Sequence, residues 1–388
     1  MMTASAPMTH VPTRGLADLE TPCLLLDADR LERNCERMLA RARALGVKLR
    51  PHLKTAKSIE VAARAVDGSR SITVSTLKEA EHFARQGYVD VVCATAIVPA
   101  KLAHATRIQG TTGCDLILVT DALAVVREAA RFAAANGTAF AFLVEIDCGE
   151  HRSGLPPTDA AVVEIARAID ESPQLRLRGV LTHAGHSYGT NEPGEVAKIA
   201  AIERDAAVTA AARIRDAGIA CDIVSVGSTP TALHADQLRG VTEVRAGIYM
   251  VWDLAQLSRN MCRMEEIAVS VLASVIGHNR QGRALILDAG ALALSKDIGA
   301  NKHLPGVGYG YVCDPLSLDH LGALAVDVVH QEHGTVTIDD ESWFERLPVG
   351  SLVRVLPNHA CLTCAGYEAY DVVRGASVVD RWARVNGW

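Results

Sequence analysis

The sequence predicts an α/β protein in which a (β/α)8 barrel, of the TIM-barrel type, is followed by a second, mainly antiparallel β domain. Between residues 48 and 250, short segments rich in β-branched residues alternate with longer alanine-rich segments, which is the pattern of a parallel sheet. Eight such short segments are present, and eight strands close the barrel. After about residue 258, alternating segments such as IAVSVLASVIGH predict antiparallel strands.

The eight strand candidates are short, apolar and separated by amphipathic segments. They cover residues 48–53, 72–75, 90–94, 115–120, 139–147, 175–182, 222–226 and 243–248. Segments such as LKEAEHFARQG and ALAVVREAARFAAANG lie between them and end in glycine, as helices often do. An open doubly wound sheet is the alternative architecture, but no G-x-G-x-x-G turn opens a first helix. The segment GVGYG at residues 306–310 lies outside the alternating region and is predicted to be a loop.

The chain divides into four parts by composition. Residues 1–20 are expected to be a loose tail, and MMTASAPMTHVPTRG contains no apolar segment typical of an export signal. Residues 21–30 predict a strand that could join the C-terminal sheet. Residues 31–257 form the predicted cofactor-binding barrel, and residues 258–388 form the β domain with the candidate metal site.

Composition narrows the class of function. The 388 residues are 49% hydrophobic, which supports a large packed core. The net charge of −6 is spread without long blocks of one sign, which argues against nucleic acid or a membrane surface and favours a small-molecule substrate. No stretch approaches the roughly 18 apolar residues that span a membrane. The ten cysteines are scattered rather than arranged as a disulfide framework, which predicts a cytoplasmic location.

The segment RPHLKT, residues 50–55, places Lys54 at the C-terminal end of the first predicted strand. In a (β/α)8 barrel, active sites lie at the end where the strands terminate. A lysine held there on a rigid element is a candidate for covalent binding of a carbonyl cofactor such as pyridoxal phosphate. A solvated surface lysine is the structural alternative, and it describes most lysines.

The loops after strands seven and eight have the composition of a phosphate site, and in such barrels these two loops commonly hold phosphate. Small residues let backbone N–H groups approach phosphate oxygens, and hydroxyl groups add donors. The residues concerned are Gly227, Ser228 and Thr229 in VGSTPT, and Arg245, Gly247 and Ile248 in RAGIY. Glycines that only serve tight turns are the structural alternative.

Polar residues also follow strands five and six. The segment EIDCGEHRSG contains Arg152, and THAGHSY contains His183 and Tyr188. Each of these residues alone is more often a hydrogen-bonded structural residue. A barrel wall needs only packed apolar side chains, however, so several polar groups at strand ends are harder to explain by structure alone. We predict that they converge with Lys54 at one barrel mouth.

His359 and Cys361 in PNHAC form a second candidate site. We predict that this segment is a strand following SLVRVLP, where a spacing of two puts both side chains on one face. Imidazole and thiolate suit an ion such as Zn²⁺, and two protein ligands leave positions open for water and substrate. A buried histidine beside a free cysteine is the structural alternative. Cys364 completes a C-x-x-C with Cys361, which alone is weak support for metal binding.

Taken in order, these motifs resemble one family. They are RPHLKTAKS, SITVSTLKEAE, EIDCGEHRSG, LTHAGHSY, VSVGSTPTAL, GVTEVRAGIY and PNHAC. They resemble the D-serine dehydratase-like, fold-type III pyridoxal phosphate enzymes, and the similarity extends from about Thr21 to the closing NGW. The resemblance implies an alanine racemase-like barrel, a C-terminal β domain, and a homodimer with active sites near the subunit interface.

The resemblance also implies roles for individual residues. Lys54 would bind pyridoxal phosphate covalently and act as the catalytic base. His359 and Cys361 would bind zinc, or else Mn²⁺ or another divalent ion. Arg245 would face the pyridine nitrogen of the cofactor. The cofactor-binding residues would be Lys54, Arg152, His183, Tyr188, Ser228, Thr229, Arg245, Gly247 and Ile248.

The activity implied is dehydration of a D-3-hydroxy amino acid to a 2-oxo acid and ammonia. D-threo-3-hydroxyaspartate, giving oxaloacetate, is the first substrate candidate, and D-serine, giving pyruvate, is the second. His186 and His303 are candidates for binding a substrate side-chain carboxylate, without a basis for choosing between them. Related D-threonine aldolases have an aspartate where this chain has Cys361, so the cysteine favours a dehydratase.

Three alternatives to a dehydratase remain. An aldolase would cleave the Cα–Cβ bond and give glycine and an aldehyde. A racemase-type enzyme would need no metal and would scramble the Cα configuration. A non-catalytic pyridoxal phosphate carrier is the third, but carriers are usually a barrel alone, so the C-terminal domain and the His359/Cys361 pair argue against it.

Overall fold

The computed structural model describes residues 14–388, so residues 1–13 of the expected tail lie outside the described residues. Where the description begins, strand β1 (Arg14–Gly15) pairs antiparallel with residues 377 and 378 near the end of the chain. Strand β2 (Cys23–Asp27) and helix α1 (Ala28–Ala44) follow.

Eight parallel strands form the barrel. They are β3 (Lys48–Leu49), β4 (Ser71–Val74), β5 (Asp90–Ala96), β6 (Asp115–Thr120), β7 (Phe140–Ile146), β8 (Leu175–Thr182), β9 (Ile223–Val226) and β10 (Glu243–Val244). Their order in the sheet is β3-β10-β9-β8-β7-β6-β5-β4. The ring closes after β3, where His52 bridges to Thr73 and the Leu53 amide donates to the Thr73 carbonyl at 2.9 Å. The predicted (β/α)8 barrel is therefore confirmed.

The first and last barrel strands are shorter than the predicted segments 48–53 and 243–248. Regular pairing covers only two residues in each. Backbone bonding continues beyond them, since the His52 amide donates to the Ala246 carbonyl at 2.8 Å, but the very next amide, that of Leu53, already donates to the neighbour on the other side. This change of partner interrupts the regular ladder and ends the strand.

Helices cover the outside of the barrel. They are α2 (Ile59–Ala65), α3 (Leu77–Arg85), α4 (Leu102–Thr112), α5 (Leu123–Asn136), α6 (Ala160–Asp170), α7 (Pro193–Asp216), α8 (Thr229–His234) and α9 (Leu254–Leu257). The longer helices bury one apolar face, as α5 does with Val126, Ala129 and Ala133. Helices α4 and α5 end at Gly113 and Gly137, whose φ angles of 69° and 61° suit glycine.

A buried polar network lies inside the barrel beside an apolar layer contributed by strands β5 to β9. The Arg50 guanidinium donates to the Glu243 carboxylate at 2.9 Å and to the Asp90 carboxylate at 2.9 Å. The Ser225 hydroxyl donates to Glu243 at 2.7 Å, and Arg245 donates to the Ser225 oxygen at 2.6 Å. Because Arg50, Glu243 and Arg245 are buried, each of these charges depends on its partners.

An eleven-stranded sheet forms the rest of the molecule. Its later strands are β11 (Val269–Asn279), β12 (Ala284–Leu287), β13 (Gly310–Cys313), β14 (His320–Ala325), β15 (Val328–Val329), β16 (Gly334–Thr337), β17 (Leu352–Pro357), β18 (Ala369–Arg374) and β19 (Ser377–Ala383). Short helices α10 (Ala291–Leu294), α11 (Trp343–Arg346) and α12 (Ala360–Ala365) connect them. Strand β2 lies between β11 and β18, antiparallel to the former and parallel to the latter.

No helix within residues 14–388 is both long enough and apolar enough to cross a membrane.

The buried network predicts a large effect of a single neutralising substitution. Glu243→Gln removes the carboxylate that pairs with Arg50 and that accepts the Ser225 hydroxyl bound by Arg245, and we expect a loss of about 3 kcal/mol in the free energy of unfolding. Urea denaturation of the protein without cofactor measures it. The control is Asp115→Asn, which removes the partly exposed partner of Arg176 and Arg178 and should cost about 1 kcal/mol or less. Equal losses in the two variants would contradict the prediction.

Candidate active site

Lys54 lies in the turn that follows β3, at the barrel mouth. The turn is fixed on both sides of the lysine, since the Leu53 amide binds the barrel and the Lys57 amide donates to the Leu53 carbonyl at 2.8 Å. Leu53 and Thr55 are buried, whereas Lys54 is exposed. The backbone is thus held rigidly while the amine projects from it, which is the arrangement that covalent binding of a carbonyl compound requires.

The loops after β9 and β10 lie against each other, as the phosphate-site prediction requires. The Gly247 amide donates to the Thr229 hydroxyl at 3.3 Å. The Thr229 amide in turn donates to the Tyr188 hydroxyl at 3.4 Å. Gly227 has a φ of 144°, and a Cβ on it would lie 2.2 Å from the Arg245 carbonyl oxygen. No other residue type therefore fits at position 227.

Ser228 and Ile248 contribute to this surface in different ways. The Ser228 hydroxyl is already bound within the protein, 2.9 Å from the Ser187 hydroxyl, and it also caps helix α8. The amide of Ile248 donates no hydrogen bond to any residue from 14 to 388. Beside it, a Cβ on Gly247 would lie 2.5 Å from the His52 carbonyl oxygen. A free N–H next to a glycine suits the close approach of a phosphate oxygen.

His183 and Arg245 line the interior between these loops. The His183 Nδ1 donates to the Gly227 carbonyl at 2.6 Å, which leaves Nε2 without a proton. Burial lowers the pKa of His183 to about 3, so the ring is neutral at pH 7. Arg245 is buried and donates to the Thr182 carbonyl at 2.6 Å in addition to Ser225. Burial also lowers the pKa of Arg245, although the negative charge of Glu243 opposes this.

Glu203 was missed by the sequence analysis and holds two of the site loops together. It belongs to helix α7 and is buried. Its carboxylate accepts hydrogen bonds from the Ala184 amide at 2.9 Å and from the Gly227 amide at 3.0 Å. Burial raises the pKa of this carboxyl group. The sequence does contain a sign of this role, because Glu203 occupies an apolar position of an alanine-rich helix. A charged residue at such a position needs a partner.

Arg152 and Tyr188 differ in burial although both were predicted to bind the cofactor. Arg152 lies after β7 with 57% of its side chain exposed, and its closest charged partner is Glu150, at 3.5 Å. Tyr188 is more enclosed, and burial raises the pKa of its hydroxyl group. Arg259 donates to the Tyr188 carbonyl at 2.6 Å and so fixes the segment that contains this tyrosine.

His359 and Cys361 do not lie on a strand, and that prediction is wrong. Strand β17 ends at Pro357, and His359 is the residue that precedes helix α12, which contains Cys361. The helix begins here because the buried Asp253 carboxylate accepts a hydrogen bond from the Ala360 amide at 2.8 Å. The two side chains are nevertheless close to each other, because the charge of His359 lowers the pKa of the Cys361 thiol.

The surroundings of this pair fit a divalent metal. The His359 Nδ1 donates to the Asp297 carboxylate at 2.7 Å, which orients the ring and leaves Nε2 as the ligand atom. The Thr55 hydroxyl lies 2.9 Å from the Cys361 sulfur. Within residues 14–388 no group of three or more histidine, cysteine, aspartate or glutamate side chains is arranged to hold a metal. Two protein ligands would leave coordination positions open, as catalytic sites require.

The electrostatics of the pair favour the thiolate form of Cys361. Burial acts to raise the pKa of Cys361, but the neighbouring positive charge of His359 outweighs burial and lowers it. For His359, burial acts to lower the pKa, and the interactions with Cys361 and nearby carboxylates outweigh it and raise the pKa to about 10. The thiolate form, which is the form that binds metals, is therefore favoured.

Comparison with known proteins agrees with this geometry. The family model described as alanine racemase, N-terminal domain, matches residues 26–255, and the model described as putative serine dehydratase domain matches residues 268–373. D-threo-3-hydroxyaspartate dehydratase from Delftia sp. (strain HT23) is 42% identical over 96% of this chain and 99% of its own length. D-serine dehydratase from Dictyostelium discoideum is 30% identical over 92% of this chain and 94% of its own.

Solved structures give the same result. The structure of the Delftia dehydratase superposes with a TM-score of 0.92 at 42% identity, covering 96% of this chain and all of the other. A cysteine-to-alanine variant of a D-threo-3-hydroxyaspartate dehydratase, described as being in the metal-free form, superposes with a TM-score of 0.92 at 41% identity, covering 97% of this chain and 100% of the other. The chain therefore belongs to the family of alanine racemase-like enzymes that includes D-threo-3-hydroxyaspartate dehydratase and D-serine dehydratase.

Proposed function

We propose that the protein is a pyridoxal phosphate- and divalent metal-dependent dehydratase of D-3-hydroxy amino acids. D-threo-3-hydroxyaspartate, converted to oxaloacetate and ammonia, is the proposed main substrate, and D-serine, converted to pyruvate, is the second. The observation that supports this most strongly is the 2.9 Å contact between the Thr55 hydroxyl and the Cys361 sulfur. It brings the residue next to Lys54 against a candidate metal ligand, so one substrate can meet both groups.

The residues at the barrel mouth fit pyridoxal phosphate. The amine of Lys54 would hold the cofactor covalently, and the Thr229 hydroxyl with the free Ile248 amide would bind its phosphate. The neutral ring of His183 and the Tyr188 hydroxyl would contact the cofactor, with Arg245 at the pyridine nitrogen. When bound, the cofactor supplies an electron sink that makes the Cα proton acidic. Arg152, the most exposed of the proposed residues, would act from the rim.

Lys54 is the proposed catalytic base. Its backbone is fixed between the barrel and the Lys57 amide, so only the side chain would be free to move toward the substrate. Lys54 then removes the proton from Cα, and loss of the 3-hydroxyl follows. The neighbouring imidazoles of His52 and His183 compete poorly for this role, because burial lowers the pKa of both well below 6.5 and so makes them weak bases.

Zinc is the proposed metal, with Mn²⁺ as the alternative. His359 through Nε2 and Cys361 through its sulfur would hold the ion, while Asp297 fixes the imidazole ring. A divalent ion supplies Lewis-acid stabilisation of the negative charge that develops on the departing 3-hydroxyl oxygen. Hydroxide is otherwise a poor leaving group, so elimination depends on this site.

We propose that the protein is a homodimer and that it is located in the cytoplasm. Ten unpaired cysteines support a reducing compartment. Three apolar side chains near the metal pair are exposed: Leu292 by 62%, Ile298 by 51% and Leu362 by 51%. Leu292 lies close to the end of helix α12, because a Cβ on Gly366 would be 2.8 Å from the Leu292 carbonyl oxygen. An apolar surface beside an active site is typical of a face that a second subunit covers.

Replacing Lys54 tests the cofactor assignment. We expect Lys54→Ala to abolish the visible absorbance of the covalently bound cofactor and to reduce kcat by about 10⁴-fold or more, because both the covalent link and the base are lost. Absorption spectra and turnover measure this. Lys48→Ala, which removes an exposed lysine at the start of strand β3, is the control and should retain both properties.

Removing the metal tests the reaction type. With D-threo-3-hydroxyaspartate, D-serine and D-threonine as substrates, we expect 2-oxo acid and ammonia rather than glycine. Chelation should stop elimination and leave the cofactor absorbance unchanged, because the two groups are held by different residues. Added Zn²⁺ or Mn²⁺ should restore activity. Full activity in demonstrably metal-free enzyme would refute the metal role, and glycine with an aldehyde as products would identify an aldolase.

Analytical ultracentrifugation tests the dimer. The wild-type chain, of 41.3 kDa, should sediment as a dimer, and Leu292→Lys should shift it toward the monomer, because the interface would then have to bury an unpaired charge. Leu316→Lys is the control, since Leu316 is equally exposed at 62% but lies in the loop between β13 and β14. A monomeric wild-type protein would refute the proposal.

A further inference from the structure

The turn that contains Lys54 has no regular secondary structure, so its backbone carbonyls need partners from elsewhere. Three consecutive carbonyls find them in the segment that follows the last strand, β19. The Thr55 and Ala56 carbonyls accept hydrogen bonds from the Arg384 guanidinium at 2.9 and 3.2 Å. The Lys57 carbonyl accepts one from the Val385 amide at 2.9 Å. The C-terminal segment therefore fixes the path of the chain immediately after the lysine.

The same guanidinium also binds the helix that contains Cys361. Arg384 Nη1 donates to the Tyr367 carbonyl at 2.8 Å and to the Cys364 carbonyl at the end of helix α12. The planar, multiply donating guanidinium is suited to such divergent bonds, which a lysine ammonium cannot reproduce. One side chain thus connects the turn of Lys54 to the helix of the metal pair.

Arg384 is specialised for this connection. It is only 8% exposed, and no carboxylate within residues 14–388 lies within ion-pair distance of it. Its guanidinium carbon lies 5.0 Å from the centre of the Tyr370 ring, and the Tyr370 hydroxyl donates to the same Ala56 carbonyl at 2.9 Å. A buried cation paired mainly with backbone carbonyls is costly for stability, so a purely stabilising role explains it poorly.

We propose that Arg384 is a positioning residue that sets the separation between Lys54 and the His359/Cys361 pair. The inference rests on the proposed function, because it assigns proton removal to Lys54 and support of the leaving oxygen to the metal pair. Elimination needs both groups on one substrate at once, and a displacement of about 1 Å can cost about 10²-fold in rate. Proton removal from Cα needs only Lys54.

Two reactions of the holoenzyme separate these requirements. Formation of 2-oxo acid from D-threo-3-hydroxyaspartate reports both groups together. Exchange of the Cα proton of D-aspartate with D2O, followed by NMR, reports Lys54 alone, because D-aspartate has no 3-hydroxyl group. For Arg384→Lys we expect elimination to fall by about tenfold to a hundredfold, with exchange within about threefold of wild type. Tyr370→Phe removes one hydrogen bond to the same loop. It should lower the ratio of elimination rate to exchange rate as well, but by less than Arg384→Lys does.

Arg354→Lys is the matched control. Arg354, in strand β17, is also a buried arginine, with 2% of its surface exposed. Its Nε donates to the Ser270 hydroxyl at 2.9 Å, and it makes no hydrogen bond to the Lys54 turn. The Arg354→Lys variant should lose about as much thermal stability as Arg384→Lys, but its ratio of elimination rate to exchange rate should equal that of the wild type. The proposal is overturned if both rates fall in proportion in Arg384→Lys and Tyr370→Phe, or if Arg354→Lys changes the ratio equally. If instead the proposed function were wrong, the wild-type enzyme itself would show no metal-dependent elimination.

Discussion

The closure of the barrel at residues 50–53 is the constraint on which the site depends. Over these residues the backbone leaves its bonds to β10 and takes up bonds to β4, so the chain is held from both sides up to Leu53. The next residue is the first that the sheet does not hold, and it is Lys54. Because the loops after β9 and β10 begin at the same edge of the sheet, closure brings the lysine to the residues suited to phosphate.

The sequence predicted the barrel, and it offered candidate residues for the barrel half of the proposed site, because both depend on local pattern. Strand and helix periodicity identified eight units, and the geometry of parallel strands placed His183, Thr229 and Gly247 near Lys54 without any knowledge of contacts. The strand predicted for PNHAC was wrong for an equally physical reason. Asp253, more than a hundred residues away in sequence, accepts the Ala360 amide and starts a helix there, and such a partner is invisible to a local pattern.

The residues that the sequence analysis missed share one property: each acts on a distant backbone or ring rather than on a neighbour in sequence. Asp297 orients His359 across 62 residues, and Arg384 reaches the Thr55 carbonyl across 329. Glu203 unites two loop amides in the same way. Single charged residues of this kind carry no spacing signal, so only the folded structure distinguishes them from solvated surface residues.

The position of β2 has a consequence for how the chain reaches this state. Leu25 pairs with Ser270 on one side and with Asp371 on the other. A strand near the start of the sequence therefore lies between two strands from its last third. During vectorial synthesis on the ribosome, the barrel can form as soon as its own strands have emerged. Strand β2 lacks its final neighbour until almost the whole chain is made. The eleven-stranded sheet is therefore the last part of the fold to be completed, and the turn of Lys54 gains its hydrogen bonds from Arg384 only at that stage.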